Sequence, residues 1–166
     1  MEDTRNSFYT ESGYAKMDAK ALTPAAEDYL EMIYRISNGG ESPVRVGELS
    51  EHLHVTPSSA SRMASFMGGV GFVNFKRYGY ITLTDSGKEK GEYLIHRHEV
   101  VNRFLSFLKK TEDETAETER IEHYLSPTTV KAMEEYLEEK AKSQNLPNEK
   151  PKGTCISPQN RLYYNK

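Results

Sequence analysis

The chain has 166 residues, 36% apolar and 28% charged, enough to build one domain or two small ones around a real core. No apolar run approaches the roughly 20 residues that cross a bilayer, and a lone cysteine, Cys155, excludes an intrachain disulfide and a Cys-rich zinc site. The net charge of −3 hides a division: residues 42–90 carry six Lys/Arg against four Asp/Glu, residues 111–139 two against ten, and residues 140–166 six against one. A mildly basic segment beside a strongly acidic one fits a nucleic-acid face and a cation-attracting region on one molecule.

Residues 1–20 lack both periodicity and an apolar h-region, so they read as a flexible extension of a cytoplasmic protein and not as a signal peptide. A first helix follows, with Thr23 as N-cap, Pro24 at its first position and Glu27 and Asp28 near its first turn. Tyr29, Leu30, Ile33, Tyr34 and Ile36 form its apolar stripe, and Asn38-Gly39-Gly40 stops it. Asp28 and Glu31 are neighbours on this helix, either as paired ligands or as a capping charge and an exposed acid.

Val44 to Leu53 reads as a second helix that buries Val46, Leu49 and Leu53. After the turn His54-Val55-Thr56-Pro57, a third helix runs from Pro57 to Met67 and ends at Gly68-Gly69. Helix, tight turn and helix is the helix-turn-helix pattern, whose second helix enters the DNA major groove. Thr56, Pro57, Ser58, Ser59, Ser61 and Arg62 then form the DNA-facing end. The plainer alternative is an αα-hairpin with a serine-rich cap. Phe72 to Thr84 reads as a hairpin with Lys76 and Arg77 near its tip, the wing of a winged helix, where both cations meet phosphates.

A fourth helix starts at Thr84-Asp85 and runs to Leu108, with Leu94, Val101, Leu105 and Leu108 forming an oily face suited to a subunit contact. A fifth carries Glu119-Arg120-Ile121-Glu122-His123-Tyr124-Leu125-Ser126. In a helix the i, i+3 and i+4 positions share a face, so Glu119, Glu122 and His123 converge as oxygen and nitrogen donors for a divalent cation, or form a solvated acidic face. A sixth helix spans Thr128 to about Lys142, and residues 143–166, with three prolines and Cys155, read as a flexible tail.

Leu22-Thr23-Pro24 leading to Glu27-Asp28-Tyr29-Leu30-Glu31, then Val55-Thr56-Pro57-Ser58-Ser59-Ala60-Ser61, Arg97-His98-Glu99 and Glu119 through Ser126 together resemble the DtxR/MntR family of metal-dependent transcriptional repressors. The resemblance covers about residues 22–142. It implies a mainly α fold with a small β-hairpin wing, a winged helix-turn-helix over residues 21–90 followed by an all-helical metal-binding and dimerisation domain over residues 91–142. It also implies a homodimer that binds double-stranded operator DNA when loaded with metal, usually at metal uptake genes. By that resemblance the metal ligands are Asp28, Glu31, His98, Glu119, Glu122 and His123. The manganese-sensing branch has acids at the positions of Glu31 and Glu122, where the iron-sensing branch has methionine and cysteine. Asn102 stands where the iron branch has a glutamate, and the tail after Lys142 is too short and polar for the SH3-like domain of many iron-branch members.

Carboxylate and imidazole donors suit Mn²⁺, with other divalent metals possible. Two carboxylates 4 Å apart repel by about 4 kcal/mol at an effective dielectric near 20. Asp28, Glu31, Glu119 and Glu122 are therefore held apart or partly protonated without cation, and two Mn²⁺ per subunit would neutralise them. Expected too are no enzyme activity, no membrane and no small organic ligand. The alternatives are a metal-independent winged-helix regulator and a metallohydrolase. For the latter the signatures are near-misses: His98-Glu99-Val100-Val101-Asn102 lacks the second histidine of H-E-x-x-H.

Overall fold

The computed structural model describes residues 22–143 except residues 77 and 78. The extension over residues 1–20, Arg77 and the tail beyond Ser143, with Cys155, lie outside the described residues. Helix α1 spans Pro24–Ile36; the Thr23 hydroxyl accepts from the Ala26 amide, and Pro24 supplies a first position that needs no N–H. Asn38, Gly39 and Gly40 all take positive φ and turn the chain out of α1, as the Asn-Gly-Gly run predicts.

The second expected helix starts differently. Val44–Arg45 forms a short strand, β1, and only Val46–His52 is helical, α2. Two residues carry no readable period; β1 exists because the edge of a later strand offers its backbone partners. Thr56 caps α3 (Pro57–Gly69) by accepting from the Ser59 amide. Strands β2 (Val73–Phe75) and β3 (Tyr80–Leu83) make the wing, and β1 joins β3 on its other side, giving an antiparallel sheet in the order β1-β3-β2. Val73 faces Leu83, Phe75 faces Ile81, and Val44 faces Ile81 from the opposite edge. The fold is thus mainly α with a three-stranded wing, in place of the expected two-stranded hairpin.

Helix α4 (Asp85–Lys109) is 25 residues long, about 37 Å at 1.5 Å per residue, and runs from the wing past α1 into the C-terminal half. Thr84 anchors its start: its hydroxyl accepts from the Gly87 amide and lies 2.7 Å from the Gly71 carbonyl oxygen. Leu94 joins the N-terminal core of Leu30, Ile33, Leu49, Met67 and Ile81, all fully buried. On the expected oily face Val101 is buried, whereas Leu108 is 55% exposed.

Helix α5 covers Thr115–Ile121, and the expected single helix stops there: Glu122–Tyr124 continue as a 3₁₀ turn, and Leu125 is extended. Helix ends commonly tighten in this way, and the chain must leave the helical region before Pro127. Pro127 then opens α6 (Pro127–Ser143), whose Thr129 amide donates to the Ser126 hydroxyl. The sixth helix therefore begins one residue before the predicted Thr128.

Candidate metal centre

Glu122 and His123 lie on the 3₁₀ turn that follows α5, and each brings a ligand atom close to Glu119 while meeting a different further partner. They separate into two groups. Asp28, Glu119 and His123 bring one ligand atom each within 4.8 Å of one another, and so do His98, Glu119 and Glu122. Glu119 belongs to both groups. The first group joins α1 to α5 and the 3₁₀ turn, and the second joins α4 to α5 and the same turn, so the two together depend on the packing of α1 and α5 on α4.

In the first group His123 Nε2 lies 2.9 Å from Asp28 Oδ1. In the second, His98 Nδ1 lies 3.1 Å from Glu122 Oε1 and 3.5 Å from Glu119 Oε1. Hydrogen bonds to Asp28 and Glu27 hold the His123 imidazole up at about 10, against burial and the Arg97 charge. Burial pushes the His98 imidazole down, but the hydrogen bond and charge of Glu122, aided by Glu31 and Glu119, raise it overall. Burial lifts the Glu119 carboxyl above its usual range, and Glu122, Glu31 and Asp28 add to this against His98.

Glu31 is close enough to act on both His98 and Glu119, yet it joins neither group. Its Oε1 accepts from Arg35 Nε at 2.9 Å and Nη2 at 2.7 Å, one turn along α1. Five of the six predicted ligands therefore converge, and the sixth is held beside them by an arginine.

One contributor escaped the sequence reading. Glu27, taken there as a charge near the first turn, is 7% exposed and accepts from Lys90 and Arg97 at 2.8 Å each. Burial alone would raise its carboxyl, but hydrogen bonds from His123 and Lys90 and the charges of Arg97 and Lys90 lower it to about 2. The available signal was the adjacency of Glu27 to Asp28 and of Arg97 to His98, which a single helical face does not explain.

The donor set fits a hard divalent cation: only carboxylate oxygens and imidazole nitrogens, preassembled within ligand range. One further observation agrees. Glu122 is 1% exposed, and its Oε2 has no hydrogen-bond partner, although Arg97 Nε lies 3.5 Å away. A buried carboxylate oxygen without a full complement of donors is costly unless something else satisfies it.

The DNA-facing candidates lie on α3 and the wing. Thr56 and Ser58 are exposed at the start of α3 with Pro57, and their hydroxyls are 3.0 Å apart. Arg62 reaches Ser59 Oγ at 3.4 Å, and Ser61 and Arg62 line a groove with Ser58, Ser65 and Phe75 of β2. Lys76 is exposed just past β2. The short strand β1 adds an unpredicted member: Arg45 lies over the Tyr80 ring and donates to its hydroxyl at 3.1 Å.

Residues 21–81 match the family model "Iron dependent repressor, N-terminal DNA binding domain", and residues 84–156 match "Iron dependent repressor, metal binding and dimerisation domain". The chain belongs to the DtxR/MntR family of metal-dependent transcriptional repressors. It is 37% identical over 106 residues to the HTH-type transcriptional regulator MntR of Lysinibacillus sphaericus (strain C3-41), covering 63% of this chain and 75% of that relative. Among solved structures it resembles the metal-dependent transcriptional regulator MtsR, with a TM-score of 0.60, 27% identity, and coverage of 70% of this chain and 55% of that one. It also resembles the manganese regulator SloR, with a TM-score of 0.58, 25% identity and the same coverage of 70% and 55%. The chain thus spans a little over half the length of these two solved regulators. DtxR/MntR proteins are transcriptional regulators, so the metallohydrolase alternative falls away. Among the described residues no helix is long and apolar enough to cross a membrane.

Proposed function

We propose that this DtxR/MntR chain is a Mn²⁺-activated repressor of metal uptake genes that binds double-stranded operator DNA as a homodimer. The observation that carries this is the pair of ligand groups sharing Glu119. Asp28 comes from α1, in the half that presents α3; His98, Glu119, Glu122 and His123 come from α4, α5 and the turn after it. A cation bound by Asp28, Glu119 and His123 supplies positive charge where these side chains otherwise rely on imidazolium, and so favours one placement of α1 against the helical half. In a dimer that placement sets the spacing of the two α3 helices, which must be about 34–36 Å to reach successive major grooves.

Two groups with one shared carboxylate support two ions per subunit, with Glu119 between them. Glu31 would complete the set by leaving Arg35. The absence of sulfur from the donor set supports Mn²⁺, although Zn²⁺ binds most such sites more tightly and selectivity must come from geometry. For pairing of subunits, the supporting surface is the exposed end of α4 and the middle of α6. There Phe107 is 38% and Leu108 55% exposed, and Tyr136 packs edge-on against Phe104 and Phe107. Thr56, Pro57, Ser58, Ser59, Ser61 and Arg62 would face bases and nearby phosphates, while Lys76, Arg77 and Arg45 would hold the backbone.

Fluorescence anisotropy of labelled operator-like duplex, titrated with full-length protein, tests the function. Affinity should rise strongly with Mn²⁺ over chelator, and Zn²⁺ should activate less than Mn²⁺. Equal affinity in Mn²⁺ and chelator would show a metal-independent regulator. The phosphate-contact assignment has its own outcome: Lys76→Ala should weaken all duplex sequences alike and flatten the slope of log affinity against log salt by about 0.9. Loss confined to one sequence would contradict it.

A further inference from the structure

The two buried charged side chains among the described residues that are not themselves proposed ligands, Glu27 and Arg97, meet at His123. Arg97 is 3% exposed and faces three partners: Nη1 lies 2.8 Å from Glu27 Oε2, Nη2 3.0 Å from His123 Nδ1, and Nε 3.5 Å from Glu122 Oε2. Glu27 Oε2 also lies 3.0 Å from His123 Nδ1, while Lys90 holds Oε1 of the same carboxylate at 2.8 Å. Glu27 precedes the proposed ligand Asp28, and Arg97 precedes the proposed ligand His98. On each helix one residue of the pair reaches the cation position and its neighbour is buried behind it.

We propose that Glu27, held by Arg97 and Lys90, is a positioning residue that fixes His123 with Nδ1–H on its carboxylate and Nε2 toward Asp28 and Glu119. The inference rests on the metal-dependent reading above. A histidine ligates through one ring nitrogen, and the hydrogen bond made by the other sets both the tautomer and the ring's orientation. Here His123 Nδ1 is 3.0 Å from a carboxylate oxygen and 3.0 Å from a guanidinium nitrogen, and it cannot donate to one while accepting from the other. If it donates to Glu27, Nε2 is the ligating atom. If it accepts from Arg97, a neutral ring carries its proton on Nε2 and cannot ligate there. Charge decides for the first. Arg97 and Lys90 already anchor the Glu27 carboxylate, which leaves an oriented anion facing Nδ1, whereas the Asp28 carboxylate 2.9 Å from Nε2 is itself a proposed ligand of the cation that would displace the Nε2 proton. Arg97 also faces Glu122 of the second group, so one buried guanidinium braces a residue of each.

The test uses the full-length protein and three variants: Glu27→Ala, Glu27→Gln and Glu27→Asp. Mn²⁺ titration calorimetry on wild type should give two ions per subunit. In Glu27→Ala the step assigned to Asp28, Glu119 and His123 should weaken by about 10- to 100-fold, as removal of such a supporting contact does, while the other step persists. Glu27→Gln keeps an oxygen acceptor for Nδ1–H and should recover most of the loss. Long-range ¹H–¹⁵N spectra of the imidazoles in Cd²⁺-loaded protein should show His123 Nδ1 protonated and Nε2 metal-bound in wild type and Glu27→Gln, and mixed or reversed in Glu27→Ala. Glu27→Asp keeps the charge but withdraws the oxygen by one methylene, and it carries the same test if Glu27→Ala does not fold. A purely structural role would lower the thermal midpoint without moving the ring signals. Unchanged affinity and ring signals in Glu27→Ala and Glu27→Asp, or wild-type His123 ligating through Nδ1, would overturn the inference. A wild type that takes up no Mn²⁺ would instead overturn the proposed function.

Discussion

Glu119→Gln is expected to abolish high-affinity Mn²⁺ binding at both proposed positions, with a loss of at least about 100-fold, because this is the one side chain that both ligand groups use. The variant should fold. The Glu119 side chain is 42% exposed, and its carboxyl is raised by burial and by Glu122, Glu31 and Asp28, so a neutral amide relieves repulsion. Its thermal midpoint in chelator should therefore equal or slightly exceed that of wild type. What disappears is the gain on adding metal. At a free concentration 100 times the dissociation constant, a one-site ligand stabilises by about 2.7 kcal/mol, or roughly 5–10 °C for a chain of this size. His98→Ala provides the contrast: it removes a member of one group only, so one Mn²⁺ step should remain. Thermal melts with and without Mn²⁺, run beside calorimetry, separate these outcomes. A full two-ion titration of Glu119→Gln would remove the shared-ligand assignment.

Gly87→Ala should produce the largest loss of stability, about 3 kcal/mol, read as a fall of roughly 10 °C in thermal midpoint. A methyl group there would overlap the Phe72 carbonyl oxygen. That oxygen is backbone, fixed by the Thr84 amide at 3.1 Å, and cannot swing away as a side chain could. Gly91, one turn later, is also tight: its Cβ would fall 2.6 Å from Tyr34 Cδ2 and 2.8 Å from Tyr34 Cβ, a less severe overlap than at Gly87 but with the anchored end of that side chain, so Gly91→Ala should be destabilising too. The junction bears on function because Lys90, Arg97 and His98 all ride on α4. Tilting the start of α4 away from the wing moves them relative to Glu27 and Asp28. Gly87→Ala should accordingly weaken Mn²⁺ binding as well, whereas an unaltered melting curve would show that α4 and the wing pack more loosely than described.

Much of this was legible in the residue order because the signals are local. The Thr23-Pro24 and Thr56-Pro57 starts combine an N-cap with a fixed φ, and both helices begin there. The apolar stripe of α1 and the alternation of β3, with Ile81 and Leu83 buried and Tyr80 and Thr82 exposed, follow from side-chain period alone. Helix spacing singled out Asp28, Glu31, Glu119, Glu122 and His123, the resemblance added His98, and five of these six lie in the two groups.

What the chain determined by itself was therefore its element types, its oxygen and nitrogen donors and its family, since each depends on neighbours a few residues apart. Only the tertiary structure decided how the donors divide. The packing of α1 and α5 on α4 puts Glu122 against His98 and His123 against Asp28, and Arg35 holds Glu31 aside. The burial of Glu27 against Arg97 and Lys90, and the pairing of β1 with β3, likewise join residues far apart in sequence. Such partnerships are set by which surfaces meet and which charges must be compensated out of water. No local period in the sequence encodes that.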